Sequence, residues 1–151
     1  MMLGLSATAA ALATPARASL ARPPHKPPRL GPGDIVGLIE PAGFSDGAEQ
    51  IAAVQYTIAG MGLVPKLAPH VGARHGYLAG TDEARAADVN AMFADDTVRA
   101  VFAVRGGWGC ARILPHLDFD LIRTNPKLLI SSSDITALHM VLAARATCPS
   151  I

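Results

Sequence analysis

From Gly33 onward, short apolar runs alternate with longer stretches in which apolar residues recur every three or four positions. Ile35-Val36-Gly37-Leu38-Ile39 is rich in β-formers and ends at Pro41-Ala42-Gly43, which predicts a buried strand running into a loop. Ile51, Val54, Ile58 and Met61 follow at helical spacing, with Asp46 as candidate cap and Gly60 or Gly62 as the stop. Leu63 to Leu67 reads as the next strand. A loop containing Gly72, Gly76 and Gly80 leads to Thr81-Asp82-Glu83, an acidic start favoured by the helix macrodipole, and that helix runs through Val89 and Met92 to Phe93. Its apolar face is mostly alanine, which predicts close packing on a sheet. Val98 to Val104 is a further strand, ended by Gly106-Gly107. Ala111 to Leu117 and Phe119 to Arg123 read as short helices, Lys127 to Ile130 as a strand and Ile135 to Arg145 as a helix. Strands separated by helices predict an α/β fold, an open and mainly parallel sheet with helices on both faces in a Rossmann- or flavodoxin-like layer.

Such sheets bind ligands outside the carboxyl ends of their strands. There the loops Pro41-Ala42-Gly43, Gly106-Gly107-Trp108-Gly109 and Ser131 to Asp134 converge. A serine at a sharp strand-to-helix turn exposes its hydroxyl beside free N–H donors and can act as a nucleophile. Ser and Asp are equally the preferred helix N-caps, and G-x-S-x-G is not matched, so the local residues leave both readings open and capping is the simpler. The glycine turn lacks the G-x-G-x-x-G spacing of a nucleotide cradle.

Composition narrows the field. The chain has 151 residues, half of them hydrophobic, enough for one domain with a core. A net charge of +1 from thirteen basic and twelve acidic residues leaves no electrostatic footprint for nucleic acid. Cys110 and Cys148 match no metal-ligand spacing and do not make a disulfide framework. Residues 1–32 form a separate region: Met1 to Ala18 is rich in Ala and Leu and ends in Ala16-Arg17-Ala18, like the apolar region and cleavage site of a secretory signal, followed by a Pro-rich basic tract expected to be disordered. No basic residue precedes the apolar part, so a signal truncated at its start and an alanine-rich leader both stand. Neither amounts to a stable membrane span. Residues 33–151 carry the α/β pattern.

Arg105-Gly106-Gly107-Trp108-Gly109-Cys110-Ala111-Arg112-Ile113-Leu114-Pro115, Leu117-Asp118-Phe119, Asn125-Pro126-Lys127 and Ser133-Asp134-Ile135-Thr136-Ala137-Leu138-His139 together resemble the LD-carboxypeptidase family, which includes muramoyltetrapeptide carboxypeptidases and microcin-immunity peptidases. Gly33-Asp34-Ile35-Val36-Gly37 is similar to its opening strand, and the resemblance extends from Gly33 to about Arg145. It implies a serine peptidase with a Ser-His-Glu triad that removes a terminal D-amino acid, D-alanine from a murein tetrapeptide, without a cofactor. Ser133 matches the nucleophile. The backbone N–H groups of Asp134 and Gly107 would form the oxyanion hole, and Arg105, Gly106 and Trp108 would face the peptide substrate. For Arg105 a carboxylate clamp and a salt bridge at the strand end are both open, and for Trp108 a pocket wall and a packing role.

Departures from the family pattern are equally visible. Ser131-Ser132 stands where Gly-Tyr is usual, Glu40-Pro41-Ala42-Gly43 replaces a serine-rich loop, and Cys110 occupies a common serine position. The resemblance implies that the triad glutamate and histidine come from a second, C-terminal domain, and the sequence stops at Ile151, so an inactive fragment is expected. His139 reads as a packing or surface residue, Glu40 as a loop charge and Glu83 as a helix-start charge. A non-catalytic α/β module binding a small molecule or peptide is the alternative, and a second copy of the chain is a candidate partner across an uncovered face. The resemblance implies a cytoplasmic location, the leader export to the periplasm.

Overall fold

The computed structural model describes residues 27–146, so the leader reading of residues 1–26 lies outside the described residues. Four strands, β1 (Ile35–Ile39), β2 (Val64–Leu67), β3 (Val98–Ala103) and β4 (Leu128–Ile130), form one parallel sheet in the order β2-β1-β3-β4. Between and after them lie α1 (Ala48–Gly60), α2 (Asp82–Ala94), α3 (Cys110–Ile113), α4 (Phe119–Thr124) and α5 (Thr136–Arg145). The expected α/β layer is present.

Strand alternation divides the core in two. Val36 and Leu38 of β1 and Ala100 of β3 join Ile58 of α1, with Ile51 and Val54 of the same helix packed against them. Ile39, Val101, Ala103 and Leu129 join Val89, Met92 and Phe93 of α2, Ile122 of α4, and Leu138 and Leu142 of α5. Helices therefore cover both faces, and a register shift beside Ile35 and Val36 lets Val98 and Val101 share one of them. Leu30, ahead of the first strand, packs on the α1-side cluster.

Two local expectations are revised. Asp46 does not cap α1: Gly47 is its N-cap without a side-chain bond, and the Asp46 carboxylate turns to Arg105 instead. Thr81 does cap α2, its Oγ1 accepting the Ala84 N–H at 3.2 Å. The single helix expected over Ala111 to Leu117 is split into α3 and a 3₁₀ turn, Leu114–His116, because Pro115 has no N–H for the α-helical ladder.

The order of strands locates the site. From β1 the chain steps outward to β2, then α2 carries it back past β1 to β3, so the direction of winding reverses between β1 and β3. The helices that follow those two strands lie on opposite faces of the sheet, and ligands of such sheets bind at this switch point.

Candidate active site at the carboxyl edge of the sheet

Ser133 has φ 60°, and among the described residues it is the one non-glycine residue in the left-handed region. An L-residue there carries backbone strain of about 1–2 kcal/mol, retained where the surrounding fold imposes it. Ser132 before it is fully extended, and a 3₁₀ turn, Ser133–Ile135, feeds directly into α5. The chain thus bends sharply between β4 and the helix and leaves the Ser133 side chain exposed. Capping does not explain this serine: the residues at the N-cap positions of the 3₁₀ turn and of α5, Ser132 and Ile135, make no side-chain cap bond.

Asp134 works elsewhere. Its Oδ2 accepts the Cys110 N–H at 2.8 Å, so the carboxylate satisfies the first amide of α3 and ties the Ser133 turn to the glycine turn after β3. The two turns touch. A Cβ on Gly106 would lie 2.8 Å from Ser133 Cβ and 3.1 Å from its Oγ, and only glycine leaves that space. Gly107, at φ 118°, would place a Cβ 3.0 Å from the Cα and N of Gly43, whose own N–H donates to Gly106 O at 3.1 Å. The loops after β1, β3 and β4 therefore meet as expected. Among the described residues nothing accepts a hydrogen bond from the N–H of Gly107 or of Asp134.

Arg105 follows β3, and its Nη1 donates to Phe44 O at 2.7 Å and to Asp46 Oδ2 at 3.3 Å, which is the strand-end salt bridge. Trp108 is 78% exposed, so it packs in no core. Both line a cleft of about 260 Å³ with Phe44, Tyr77 and Gly107.

Sequence reasoning missed Arg85. This arginine of α2 is 1% exposed, and its Nη1 donates to Pro41 O at 2.6 Å and to Gly109 O at 3.0 Å, while Nη2 pairs with Asp82. It fastens together the loops after β1 and β3. The available signal was its helical spacing with Val89 and Met92, which puts it on the inward face. Glu40 is likewise no simple loop charge. It is 3% exposed, bonded to Ser45 Oγ and, through Oε2, to the Gly72 N–H at 2.7 Å.

No described histidine or glutamate bonds Ser133. His139 Nε2 instead meets Ser131 Oγ at 2.5 Å, a contact that the sequence reading did not anticipate and that a glycine at position 131 could not make. His70 Nδ1 pairs with Asp88 at 2.7 Å beyond β2, at the opposite edge of the sheet from β4. Burial lowers the His139 pKa below the usual imidazole value. The native state then resists the proton that the unfolded chain accepts, so stability falls as the pH drops through the ordinary histidine range near 6.5. Thermal unfolding midpoints followed downward from pH 7.5 should show this loss, with a shallower slope in His139→Gln over the same window.

Cys110 is buried, and burial, with the Asp134 charge beside it, pushes its thiol up to about 12. A thiol so held is no nucleophile at neutral pH. Iodoacetamide at pH 8 should leave Cys110 unmodified in the native protein and alkylate it fully in urea, as read by peptide mass mapping. Among the described residues no helix is long and apolar enough to cross a membrane, and no cluster of three or more His, Cys, Asp or Glu could hold a metal ion.

A strained serine turn thus packs against a glycine turn at the switch point of a parallel α/β sheet. Residues 36–151 match the model of the LD-carboxypeptidase N-terminal domain, and the chain belongs to that family of serine-type carboxypeptidases. It is 43% identical over 118 residues to a probable murein peptide carboxypeptidase of Bacillus subtilis, covering 78% of this chain and 37% of the relative. It is 44% identical over 73 residues to the murein tetrapeptide carboxypeptidase of Pseudomonas aeruginosa, covering 48% of this chain and 24% of that protein. Among solved structures it is similar to an MccF-like protein from Bacillus anthracis, with TM-score 0.78 and 26% identity over 82% of this chain and 38% of that one. The muramoyltetrapeptide carboxypeptidase from Oxalobacter formigenes gives TM-score 0.68 and 27% identity over 77% and 38%. The chain spans about two fifths of the length of the curated relatives that it matches over most of its own length.

Proposed function

We propose that residues 33–151 are the nucleophile-bearing part of an LD-carboxypeptidase that removes a terminal D-alanine from a murein peptide. The observation that carries this is the left-handed φ of Ser133 in direct packing with Gly106. Ser133 Oγ attacks the scissile carbonyl and its proton passes to a base. The oxyanion that forms is held by the N–H groups of Asp134 and Gly107, both open to an incoming acceptor. The tetrahedral intermediate collapses and expels D-alanine, whose amine takes the proton back from the base, and the acyl-enzyme left on Ser133 is hydrolysed by water. Gly106 lets the two turns close up, Trp108 walls the cleft, and Arg105 binds the terminal carboxylate by exchanging Asp46 for it. The base is a histidine oriented by a glutamate, and no described histidine or glutamate is bonded to the Ser133 hydroxyl.

Residues 1–151 alone are therefore expected to release no D-alanine, since a serine hydroxyl without a base is a poor nucleophile. Completed by fusion to the C-terminal part of the Pseudomonas relative, they should release it from an LD-linked tetrapeptide, and Ser133→Ala should abolish that release. Undiminished turnover in the Ser133→Ala fusion would contradict the assignment, as would efficient turnover by the 151-residue chain alone.

A further inference from the structure

A second cavity, of about 540 Å³, opens beside the cleft and shares Phe44 and Asp46 with it. Its floor is fixed from below, because Ser45 and Gly72 both donate to the buried Glu40 carboxylate and use both of its oxygens inward. The cation on this cavity is Arg74. Its guanidinium lies over the Phe44 ring, 4.0 Å from the centroid, and its Nε donates to Gly76 O at 3.3 Å. Its two terminal nitrogens engage no described residue. Stacking holds the planar fork with its edge free to take a carboxylate through two N–H groups. Asp46, the one carboxylate lining either cavity, is paired with Arg105 and is not bonded to Arg74.

Phe44 sets the two cations apart. Its carbonyl accepts from Arg105 while its ring supports Arg74, so the two guanidinium groups flank a single residue. Resting on the reading of Arg105 above, we propose that Arg74 and Phe44 form a second anion subsite that recognises a carboxylate of the peptide upstream of the terminal one. The favoured substrate is thus an acidic peptide, and blocking its internal carboxylate as an amide weakens binding.

The test uses the 151-residue chain and two tetrapeptides, alanyl-γ-glutamyl-lysyl-D-alanine with its glutamyl carboxylate free or as the carboxamide, titrated by calorimetry. The free acid should bind about tenfold more tightly than the amide, a single charge-assisted bidentate contact. Arg74→Gln should reduce that ratio to about one and leave the affinity for the amide unchanged, whereas Arg105→Gln should weaken both peptides alike. A ratio that persists in Arg74→Gln overturns the subsite and leaves the Ser133 reading intact. Failure of both peptides to bind overturns the subsite and the Arg105 reading together. Loss of the ratio in Arg74→Gln, with no hydrolysis by the completed fusion, upholds the subsite and rejects the peptidase.

Discussion

Replacing Ser133 by glycine should stabilise the fold while removing all activity. The strain of about 1–2 kcal/mol at φ 60° disappears when the residue loses its Cβ, and the extra chain entropy of glycine offsets part of the gain. A net stabilisation of about 1 kcal/mol raises the unfolding midpoint by about 2–4 °C in a domain of this size. The exposed side chain gives up little packing on removal. Ser132→Gly is the control, because Ser132 is extended at φ −150° and unstrained, so glycine there should lower the midpoint. Opposite signs at adjacent serines, read by calorimetry on the 151-residue chain, separate backbone strain from any general effect of glycine in the loop. In the fusion described above, Ser133→Gly should release no D-alanine. If both glycine variants destabilise equally, Ser133 is not held in a strained turn and the basis for singling it out is lost.

That contrast also marks where the sequence stops being legible. Continuous apolar, β-rich runs in β1 and β3 and helical spacing in α2 and α5 are short-range patterns, so the α/β layer and the meeting of three loops could be read directly. Ser133 could be singled out from motif resemblance, but the choice between cap and nucleophile turns on a backbone angle that Ser-Asp residues permit either way. The bonds that shape the site are long-range. Asp134 reaches Cys110 across 24 positions and Arg85 reaches Pro41 across 44, and neither partner shares a local pattern with the residue that finds it. Asp46 failed as a cap for the same reason, since Arg105 competes for its carboxylate from 59 positions away.

Arg85→Met should destabilise the fold by about 3 kcal/mol and lower the midpoint by roughly 6–12 °C. The side chain is fully buried, and its removal leaves Pro41 O without its donor, Gly109 O with the Arg112 N–H alone and Asp82 without one of its two arginines. Asp82 is only partly buried and keeps Arg112, so its share of the loss is the smaller one. The Arg112 guanidinium first, and Arg85 after it, hold the Asp82 carboxyl below the ordinary carboxylate range. A depressed carboxyl contributes stability above its unfolded pKa of 3.8 and loses it as the pH falls through the native value, so the gap between Arg85→Met and the wild type should narrow in strong acid. The loss also bears on function, because Pro41 leads into Gly43, and Gly109 closes the turn that presents Gly107. With the two loops unfastened, the Gly107 N–H no longer keeps its distance from Ser133, and a misplacement of about 1 Å costs on the order of a hundredfold in rate. Arg85→Lys separates the two effects: it keeps a charge for Asp82 but cannot hold two carbonyls in one plane. It should recover part of the stability and little of the D-alanine release of the completed fusion, and recovery of both in parallel would reduce Arg85 to a packing residue.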